Sequence, residues 1–234
     1  MNRPVAIITG AGSGIGAACA RLLAARGHDC VLVGRRGSLL EDVRATLDGP
    51  EHHLAIAADI ADSGRCAEIV DTTLARYGRV DALVLSAGVA PRAPIDRTTE
   101  EMLEECFFVN AFGPAFLISR AWPTMKAQRS GRIVIVSTLG TLDPFPGFLA
   151  YAASKSAADS LVRSVRAEGG PLGIRAFAVN PGCVDTEILR RNFPESVIPK
   201  SKTLAPESVA EVIVACATGE RDADSGTVIP LPSP

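Results

Sequence analysis

Tyr151 and Lys155 are the residues of this chain whose types and spacing most directly suggest chemistry. If residues 151–168 are helical, the two side chains share one face about one turn apart. A free tyrosine has a pKa near 10 and exchanges protons poorly at neutral pH, whereas a nearby ammonium favours the phenolate and lowers that pKa. The spacing therefore predicts proton exchange with an alcohol or carbonyl oxygen. Taken alone, Y-x-x-x-K is also frequent by chance.

A glycine-rich segment follows the first apolar run and reads Thr9-Gly10-Ala11-Gly12-Ser13-Gly14-Ile15-Gly16. Glycines let the backbone turn tightly and approach a ligand without an intervening Cβ. A helix start offers free N–H groups and partial positive charge to a pyrophosphate. The placement between a strand and an amphipathic helix predicts a dinucleotide-binding loop. The alternative is a tight turn with a structural role only.

Two arginines stand where dinucleotide-binding folds often carry an acidic residue. That residue lies about 20 positions after the glycine loop and binds the ribose 2′-hydroxyl. Here the segment reads Val33-Gly34-Arg35-Arg36-Gly37, without a carboxylate. Guanidinium groups suit a phosphate by charge and by paired N–H geometry. We therefore favour NADP(H) over NAD(H); the alternative is an exposed arginine pair at the start of a helix.

The elements that must position these residues alternate between short apolar runs and helical segments. Continuous apolar runs are typical of parallel strands covered on both faces, and they occur at 5–8, 31–33, 82–85, 133–136 and 176–179. Helical spacing recurs between them, including a stripe over 66–74, with Ser63 expected as the cap of that helix and Gly78 just beyond its end, and a second one at 206–218. The alternation predicts an α/β fold, a Rossmann-type doubly wound parallel sheet with helices on both faces and right-handed crossovers.

Composition excludes several classes of function. There are 24 basic and 26 acidic side chains, a net charge of −2, without long runs of one sign, so nucleic acid is not expected as a partner. Six cysteines lack a C-x-x-C pair, no metal-binding motif is present, and no metal site is expected. No stretch approaches the roughly 18 apolar residues of a membrane span. We expect a cytoplasmic protein with no membrane partner.

The chain resembles the short-chain dehydrogenase/reductase family, in its branch of about 250 residues, over nearly its full length. The resemblance rests on T-G-A-G-S-G-I-G at 9–16, Y-A-A-S-K at 151–155 and P-G-C-V-D-T at 181–186. It implies a seven-stranded nucleotide-binding fold and hydride transfer between a nicotinamide and a carbonyl/alcohol pair. Residues 1–234 are expected to form a single NADP(H)-binding domain with a substrate loop near 185–205.

The resemblance also implies roles for individual residues. Tyr151 would be the general acid in reduction, Lys155 would bind the nicotinamide ribose while tuning Tyr151, and Asn110 would help to organise a proton-relay water. Asp59 would contact adenine, and the segment beginning at Pro181 would hold the nicotinamide. The full set expected to bind coenzyme is Gly10, Ser13, Gly14, Ile15, Gly16, Arg35, Arg36, Asp59, Ile60, Ala87, Gly88, Tyr151, Lys155, Pro181, Gly182, Val184 and Thr186.

The sequence departs from the family pattern at three places. Thr138 stands where the family usually has a serine; its hydroxyl can still bind a substrate oxygen, and neighbouring Ser137 is the second choice for that role. Leu85-Ser86-Ala87-Gly88 replaces Asn-Asn-Ala-Gly, so the usual hydrogen bonds between strands must be made differently, although Ala87 and Gly88 still permit close coenzyme approach. The usual terminal Asp-Gly-Gly is absent, which bears on a tail-mediated tetramer.

The expected activity is that of an NADP(H)-dependent carbonyl reductase acting on a small carbonyl or alcohol substrate. The alternative is a non-catalytic dinucleotide-binding regulatory or scaffold protein on the same fold. A homodimer or homotetramer is expected, with helices around 102–128 and 151–168 at the interface. Aromatic residues near 145–148 and 193 suggest a partly apolar pocket. Basic side chains between 190 and 202 suggest an anionic group on the substrate or are simply solvated.

Overall fold

The computed structural model describes residues 3–234, and their strands form one seven-stranded sheet in which every pair of neighbours is parallel. The sheet order is β3-β2-β1-β4-β5-β6-β7. This confirms the predicted doubly wound sheet. The strands are β1 (Val5–Thr9), β2 (Asp29–Gly34), β3 (Leu54–Ala57), β4 (Ala82–Leu85), β5 (Gly131–Val136), β6 (Ile174–Pro181) and β7 (Val228–Leu231).

Helices cover both faces of the sheet because successive strand residues point to opposite sides. Ala6 and Ile8 of β1 pack in the core on the α1, α2 and α8 side, whereas Val5 and Ile7 belong to the core that includes α3, α5 and α6. The helices are α1 (Gly14–Ala25), α2 (Gly37–Ala45), α3 (Ser63–Tyr77), α4 (Glu100–Phe107), α5 (Gly113–Gln128), α6 (Leu149–Gly169), α7 (Glu187–Asn192) and α8 (Pro206–Thr218).

The predicted elements are recovered, with three differences. The apolar runs became β1, β2, β4, β5 and β6, whereas β3 and β7, needed for the seven strands that the resemblance implies, were not located; they are the partly buried edge strands. Ser63 was the wrong cap for α3. The cap is Asp62, whose Oδ1 accepts hydrogen bonds from the backbone N–H of Gly64 (2.7 Å) and Arg65 (3.2 Å). The stretch 185–205 is not wholly irregular, because it contains α7.

The segment Glu100–Gln128 is long and apolar enough to cross a membrane by length and composition alone. It consists of α4, a π-helical turn at Phe108–Phe112 and α5. Three of its apolar side chains, Leu117, Ala121 and Met125, are completely buried in the core formed with α3 and α6. A core helix passes the same test of length and hydropathy, and one face of this segment is packed as in a core helix.

The carboxyl ends of the central strands meet at one edge of the sheet, where the chain leaves β1 in one direction and β4 in the other. Open α/β sheets bind ligands at such a switch point. The connections that follow β1, β4, β5 and β6 begin at Gly10, Ser86, Ser137 and Gly182. The fold therefore brings the glycine loop and the Thr138 segment to one edge.

Candidate active site

A single crevice of about 650 Å³ runs along this edge, a size suited to a small-molecule ligand. It is lined by every residue that the sequence indicated for coenzyme binding, from Gly10 to Thr186, and by Thr138, Tyr151 and Lys155. Asn110 is the one predicted site residue outside the lining. Residues separated by up to 176 positions in the chain therefore face one space.

The glycine loop is shaped so that side chains would not fit. Gly10 has φ +67°, and a Cβ built there would lie 2.9 Å from the backbone nitrogen of Ala87. At Gly16 a Cβ would lie 2.3 Å from the carbonyl oxygen of Gly10. Ser13 precedes α1 in extended conformation and makes no side-chain cap, so its hydroxyl and the first N–H groups of α1 face the crevice. This cradle fits a pyrophosphate.

Leu85 and Ser86 replace the asparagines that the family usually has, so another residue must make the hydrogen bonds between strands. Thr9 makes one of this kind. Its Oγ1 accepts from the backbone N–H of Ala87 at 3.1 Å. The loop after β4 is thereby tied to the end of β1, next to Gly10. The glycine loop and Ala87 are therefore in contact even though Leu85 and Ser86 replace the usual asparagines.

The arginines after β2 have acidic neighbours. Arg35 Nη1 lies 3.9 Å from Asp59 Oδ2, and Arg36 Nη2 lies 2.9 Å from Glu187 Oε2 on α7. The guanidinium groups of Arg36 and Arg191 both lower the pKa of the exposed Glu187 through hydrogen bonds. Sequence reasoning missed Glu187, because 151 residues separate it from Arg36. The end of the crevice that carries the two arginines therefore includes a carboxylate paired with Arg36.

Tyr151 and Lys155 lie on one face of α6, as the spacing predicted, but their pKa values depart from expectation. Burial raises the pKa of Tyr151 to about 12, while a hydrogen bond with Thr138 lowers it. Burial also lowers the pKa of Lys155 to about 8 against the attraction of Asp159. The expected lowering of the Tyr151 pKa by Lys155 is therefore not seen. Desolvation dominates both groups because each loses water at the base of the crevice.

Lys155 is held in place by the sheet. Its Nζ donates a hydrogen bond of 2.6 Å to the carbonyl oxygen of Val136 at the end of β5, and the side chain is buried. A Cβ added at Gly88 would lie 3.4 Å from that Nζ and 3.1 Å from Asn110 Oδ1. Gly88 therefore permits the lysine and the asparagine to approach the same short segment of backbone.

Asn110 is completely buried within the π-helical turn between α4 and α5. Its Oδ1 accepts from the backbone N–H of Val89 and its Nδ2 donates to the Val89 carbonyl, both at 2.9 Å, and also to Ser154 Oγ at 3.0 Å. The amide is therefore occupied in joining the loop after β4 to α6. The structure assigns it this bracing role, and its relation to a relay water stays a prediction.

Thr138 and Ser137 differ in their surroundings. Thr138 Oγ1 accepts a hydrogen bond from the backbone N–H of Gly140 (3.1 Å), which leaves its hydroxyl proton free for Tyr151 or a substrate. Ser137 Oγ is buried at the crevice wall and has no hydrogen-bond partner among residues 3–234. The contact with Tyr151 favours Thr138 as the active hydroxyl.

Asn180 and Asp159 form a buried network that sequence reasoning missed. Asn180 Nδ2 lies 3.0 Å from each of three acceptors, the Thr138 carbonyl, Thr141 Oγ1 and Asp159 Oδ2. Asp159 follows Lys155 by four positions on α6, so helical spacing alone places it on the Lys155 face. The network fixes the start of the 138–148 segment against β6 and puts a carboxylate near the buried ammonium.

The segment after β6 closes the crevice beside the glycine loop. Val184 pairs with Leu204 as an isolated bridge, and Thr186 caps α7 by accepting from the backbone N–H of Leu189 (3.4 Å). A Cβ added at Gly14 would lie 3.2 Å from Thr186 Cγ2. The residues that the sequence indicated at 181–186 therefore lie against the loop that would cradle the pyrophosphate.

Comparison with known proteins agrees with this geometry. The family model described as short chain dehydrogenase matches residues 4–196. A cis-4-hydroxycyclohexanecarboxylate dehydrogenase of Sinomonas cyclohexanicum is 35% identical over 218 residues, which cover 89% of this chain and 87% of that protein. Among solved structures, levodione reductase has a TM-score of 0.91 at 25% identity and covers 98% of this chain and 96% of its own. A 3-ketoacyl-(acyl-carrier-protein) reductase from Brucella melitensis, complexed with NADH, has a TM-score of 0.88 at 28% identity, with 97% and 96% covered.

Proposed function

The chain belongs to the short-chain dehydrogenase family of oxidoreductases, which bind a nicotinamide dinucleotide, and from this premise we propose that it is an NADP(H)-dependent reductase of ketones or aldehydes. The observation that carries the proposal is the shared crevice, with a glycine cradle and two arginines at one end and Tyr151, Thr138 and Lys155 at the other. A dinucleotide fits the first group, and a carbonyl oxygen fits the second. The complete proton-transfer group speaks against the non-catalytic alternative.

The residues at the base of the crevice would act on the substrate oxygen. Thr138 and Tyr151 would donate hydrogen bonds to the carbonyl oxygen and stabilise the negative charge that develops on it. The nicotinamide, when bound, supplies the hydride that reaches the carbonyl carbon. Tyr151 would then deliver its proton to the oxygen, and the Lys155 ammonium would stabilise the phenolate and return a proton to it.

The raised pKa of Tyr151 suits this direction of reaction. A phenol with a pKa of about 12 is fully protonated at neutral pH and is available as a donor. Its proton leaves readily only toward a strongly basic oxygen, which is what a carbonyl becomes as hydride arrives. In the reverse direction the same phenol would have to be deprotonated first, at greater cost.

The preference for NADP(H) rests on Arg35 and Arg36, whose side chains are 62% and 54% exposed at the mouth of the crevice. A 2′-phosphate on the bound coenzyme would balance the positive charge of these guanidinium groups, as the neighbouring carboxylates of Asp59 and Glu187 do here. Similarity does not decide the matter, since one neighbour is an NADH complex. Asp59, near Arg35, is far less suited to a phosphate than to a ribose hydroxyl or adenine.

Dissociation constants for NADPH and NADH test the proposal directly. In the Arg35→Ala and Arg36→Ala variants the constant for NADPH is expected to rise roughly tenfold, as for a lost charge-assisted hydrogen bond, while that for NADH changes little. Arg97→Ala, an exposed arginine outside the crevice lining, is the matched control. Equal effects on both coenzymes would remove the 2′-phosphate assignment.

We extend the proposal to assembly and location. Phe108 and Phe112 on the π-helical turn are 41% and 43% exposed and contact each other edge to face (5.2 Å), which supports burial of this face in a homodimer or homotetramer. Five of the six cysteines are buried and all six are free, which supports a reducing compartment such as the cytoplasm. Sedimentation of the Phe108→Asp variant tests the interface.

A further inference from the structure

Cationic side chains in the crevice lining are mostly matched by an acceptor from the protein. Arg35 faces Asp59, Arg36 and Arg191 share Glu187, and Lys155 bonds to the Val136 carbonyl. The exception is Arg92, which follows β4 and has no carboxylate within 4.0 Å in the described part of the chain. One positive charge of the lining is therefore left without a counter-ion.

Arg92 is held in a defined position. Its guanidinium carbon lies 4.8 Å from the ring centroid of Phe193, in a cation–π contact. Its stem passes Gly147, where an added Cβ would lie 3.1 Å from Arg92 Cγ, and φ is +88°. The backbone N–H of Ala93 donates to the Gly147 carbonyl at 2.9 Å. Phe193 therefore contacts the guanidinium of this exposed side chain, and Gly147 lies beside its stem.

Aromatic rings connect Arg92 to the reacting phenol. The Phe193 centroid lies 6.0 Å from that of Phe148, and Phe148 lies 6.0 Å from that of Tyr151. These rings line the crevice and offer an apolar surface between a cation and the proton donor. A ligand lying along them would place an apolar body on Phe148 and Phe193, with its ends at Tyr151 and Arg92.

Arg190 and Lys200, two of the other basic residues near this end of the crevice, have partners, and Lys202 lies outside the crevice lining. Arg190 Nε lies 2.7 Å from Asp185 Oδ1, and its Nη1 donates to the Ile198 carbonyl. Lys200 lies 3.7 Å from Asp185 Oδ2. From the basic residues between 190 and 202, the sequence suggested that the substrate carries an anionic group. In the structure Arg92, which the sequence did not single out, is the better candidate to bind such a group.

We propose that Arg92 binds a carboxylate of the substrate, and that the substrate is a ketone or aldehyde whose carbonyl is separated from this carboxylate by an apolar ring or chain. The inference rests on the proposed function, which supplies the reaction at the Tyr151 end. A carboxylate carries the single negative charge that one guanidinium balances, and it matches the planar fork of donors. A phosphate carries about −1.5 to −2 and would call for a second cation.

Two matched aryl ketones test the proposal. 4-Acetylbenzoate carries a carboxylate opposite its ketone, and 4-acetylbenzamide has the same shape without the charge. We expect kcat/KM to be roughly tenfold higher for the acid, as for a charge-assisted hydrogen bond at a partly exposed site. The difference is expected to lie in KM, because the carboxylate is bound equally before and during reaction.

Variants at position 92 assign the effect to this side chain. Arg92→Gln is expected to bring the two ketones to nearly equal kcat/KM, while Arg92→Lys retains part of the preference. Arg97→Gln removes the same charge five residues away, outside the lining, and is expected to change nothing. A wild-type ratio near one, or a ratio unchanged by Arg92→Gln, would overturn the proposal.

Calorimetry separates this inference from the reaction itself. If neither ketone is reduced, the proposed reductase activity fails, but binding of 4-acetylbenzoate to the coenzyme-loaded protein can still be titrated. Binding that Arg92→Gln weakens roughly tenfold, and that Arg97→Gln leaves intact, supports the carboxylate site. Absence of binding, or equal binding by the Arg92→Gln protein, would exclude it.

Discussion

The buried ammonium of Lys155 should make the stability of the coenzyme-free protein depend on pH in a specific way. Its pKa is lowered by burial from 10.5 to about 8 in the folded protein. Between these values the unfolded chain holds a proton that the folded chain has released. Stability therefore rises with pH across this window, since the slope follows the difference in bound protons.

The size of the effect follows from the shift. A lowering of about 2.5 pKa units costs on the order of 3 kcal/mol of folding free energy at pH 6, where both states are protonated. The cost falls as the folded-state lysine deprotonates. From pH 7.5 to pH 9.5 the gain in stability is about 2 kcal/mol.

Urea unfolding of the wild type and of Lys155→Met at several pH values between 7 and 10 measures this gain. Titration of the tyrosines, the other lysines and the cysteines other than Cys106 is common to both proteins and cancels in the difference. The lost hydrogen bond to Val136 adds an offset that does not depend on pH. We expect the wild type to gain about 2 kcal/mol relative to the variant between pH 7.5 and 9.5.

Cys106 is the neighbour whose own titration could differ between the two proteins, because the charges of its thiol and of Lys155 act on each other. Repeating the comparison in a Cys106→Ala background removes that thiol. A difference between wild type and variant that stays constant with pH, in both backgrounds, would show that the ammonium is not desolvated and would refute the reasoning. Stability that falls across the same window would refute its sign.

Three further predictions concern the site. Tyr151→Phe is expected to lower kcat by roughly 10²–10⁴-fold, the usual contribution of a general acid, while the NADPH dissociation constant measured by fluorescence stays nearly unchanged. Thr138→Ser should retain most activity and Thr138→Ala should lose roughly 10²-fold or more, with Ser137→Ala as the matched control; the opposite ranking would assign the active hydroxyl to Ser137. Glu187→Gln frees Arg36 and is expected to tighten NADPH binding about two- to fivefold at low salt, with no change for NADH; an effect that persists at high salt would contradict an electrostatic origin.

Local patterns in the sequence made most of the fold predictable, together with the site residues that lie close to one another in the chain. Tyr151 and Lys155 are one helical turn apart, and the glycine loop joins a strand to a helix, so short-range geometry suffices for both. Asp159 could have been found by the same helical spacing, four residues beyond Lys155. The strands β3 and β7 were not located because they are the edge strands of the sheet and are only partly buried, and β7 also contains Pro230.

The remaining site residues depend on tertiary contacts that no local pattern encodes. Glu187 reaches Arg36 only because α7 crosses the crevice, and Arg92 becomes distinctive only when the partners of its neighbours are known. The pKa of Tyr151 was expected to fall because a cation is close. Its rise comes from burial, which depends on the packing of α6 against the sheet and is not a property of the spacing.

The segment expected to hold the nicotinamide is braced by residues that are synthesised much later than the glycine loop. The backbone N–H of Gly182 donates to the Leu231 carbonyl (2.9 Å), and that of Cys183 donates to Ser233 Oγ (2.7 Å). The cradle at 10–16 precedes these braces by more than 200 residues. Leu231 and Ser233 therefore support the half of the crevice that would carry the reaction, and Ser233→Ala is expected to slow the reduction of a ketone more than it weakens the binding of coenzyme.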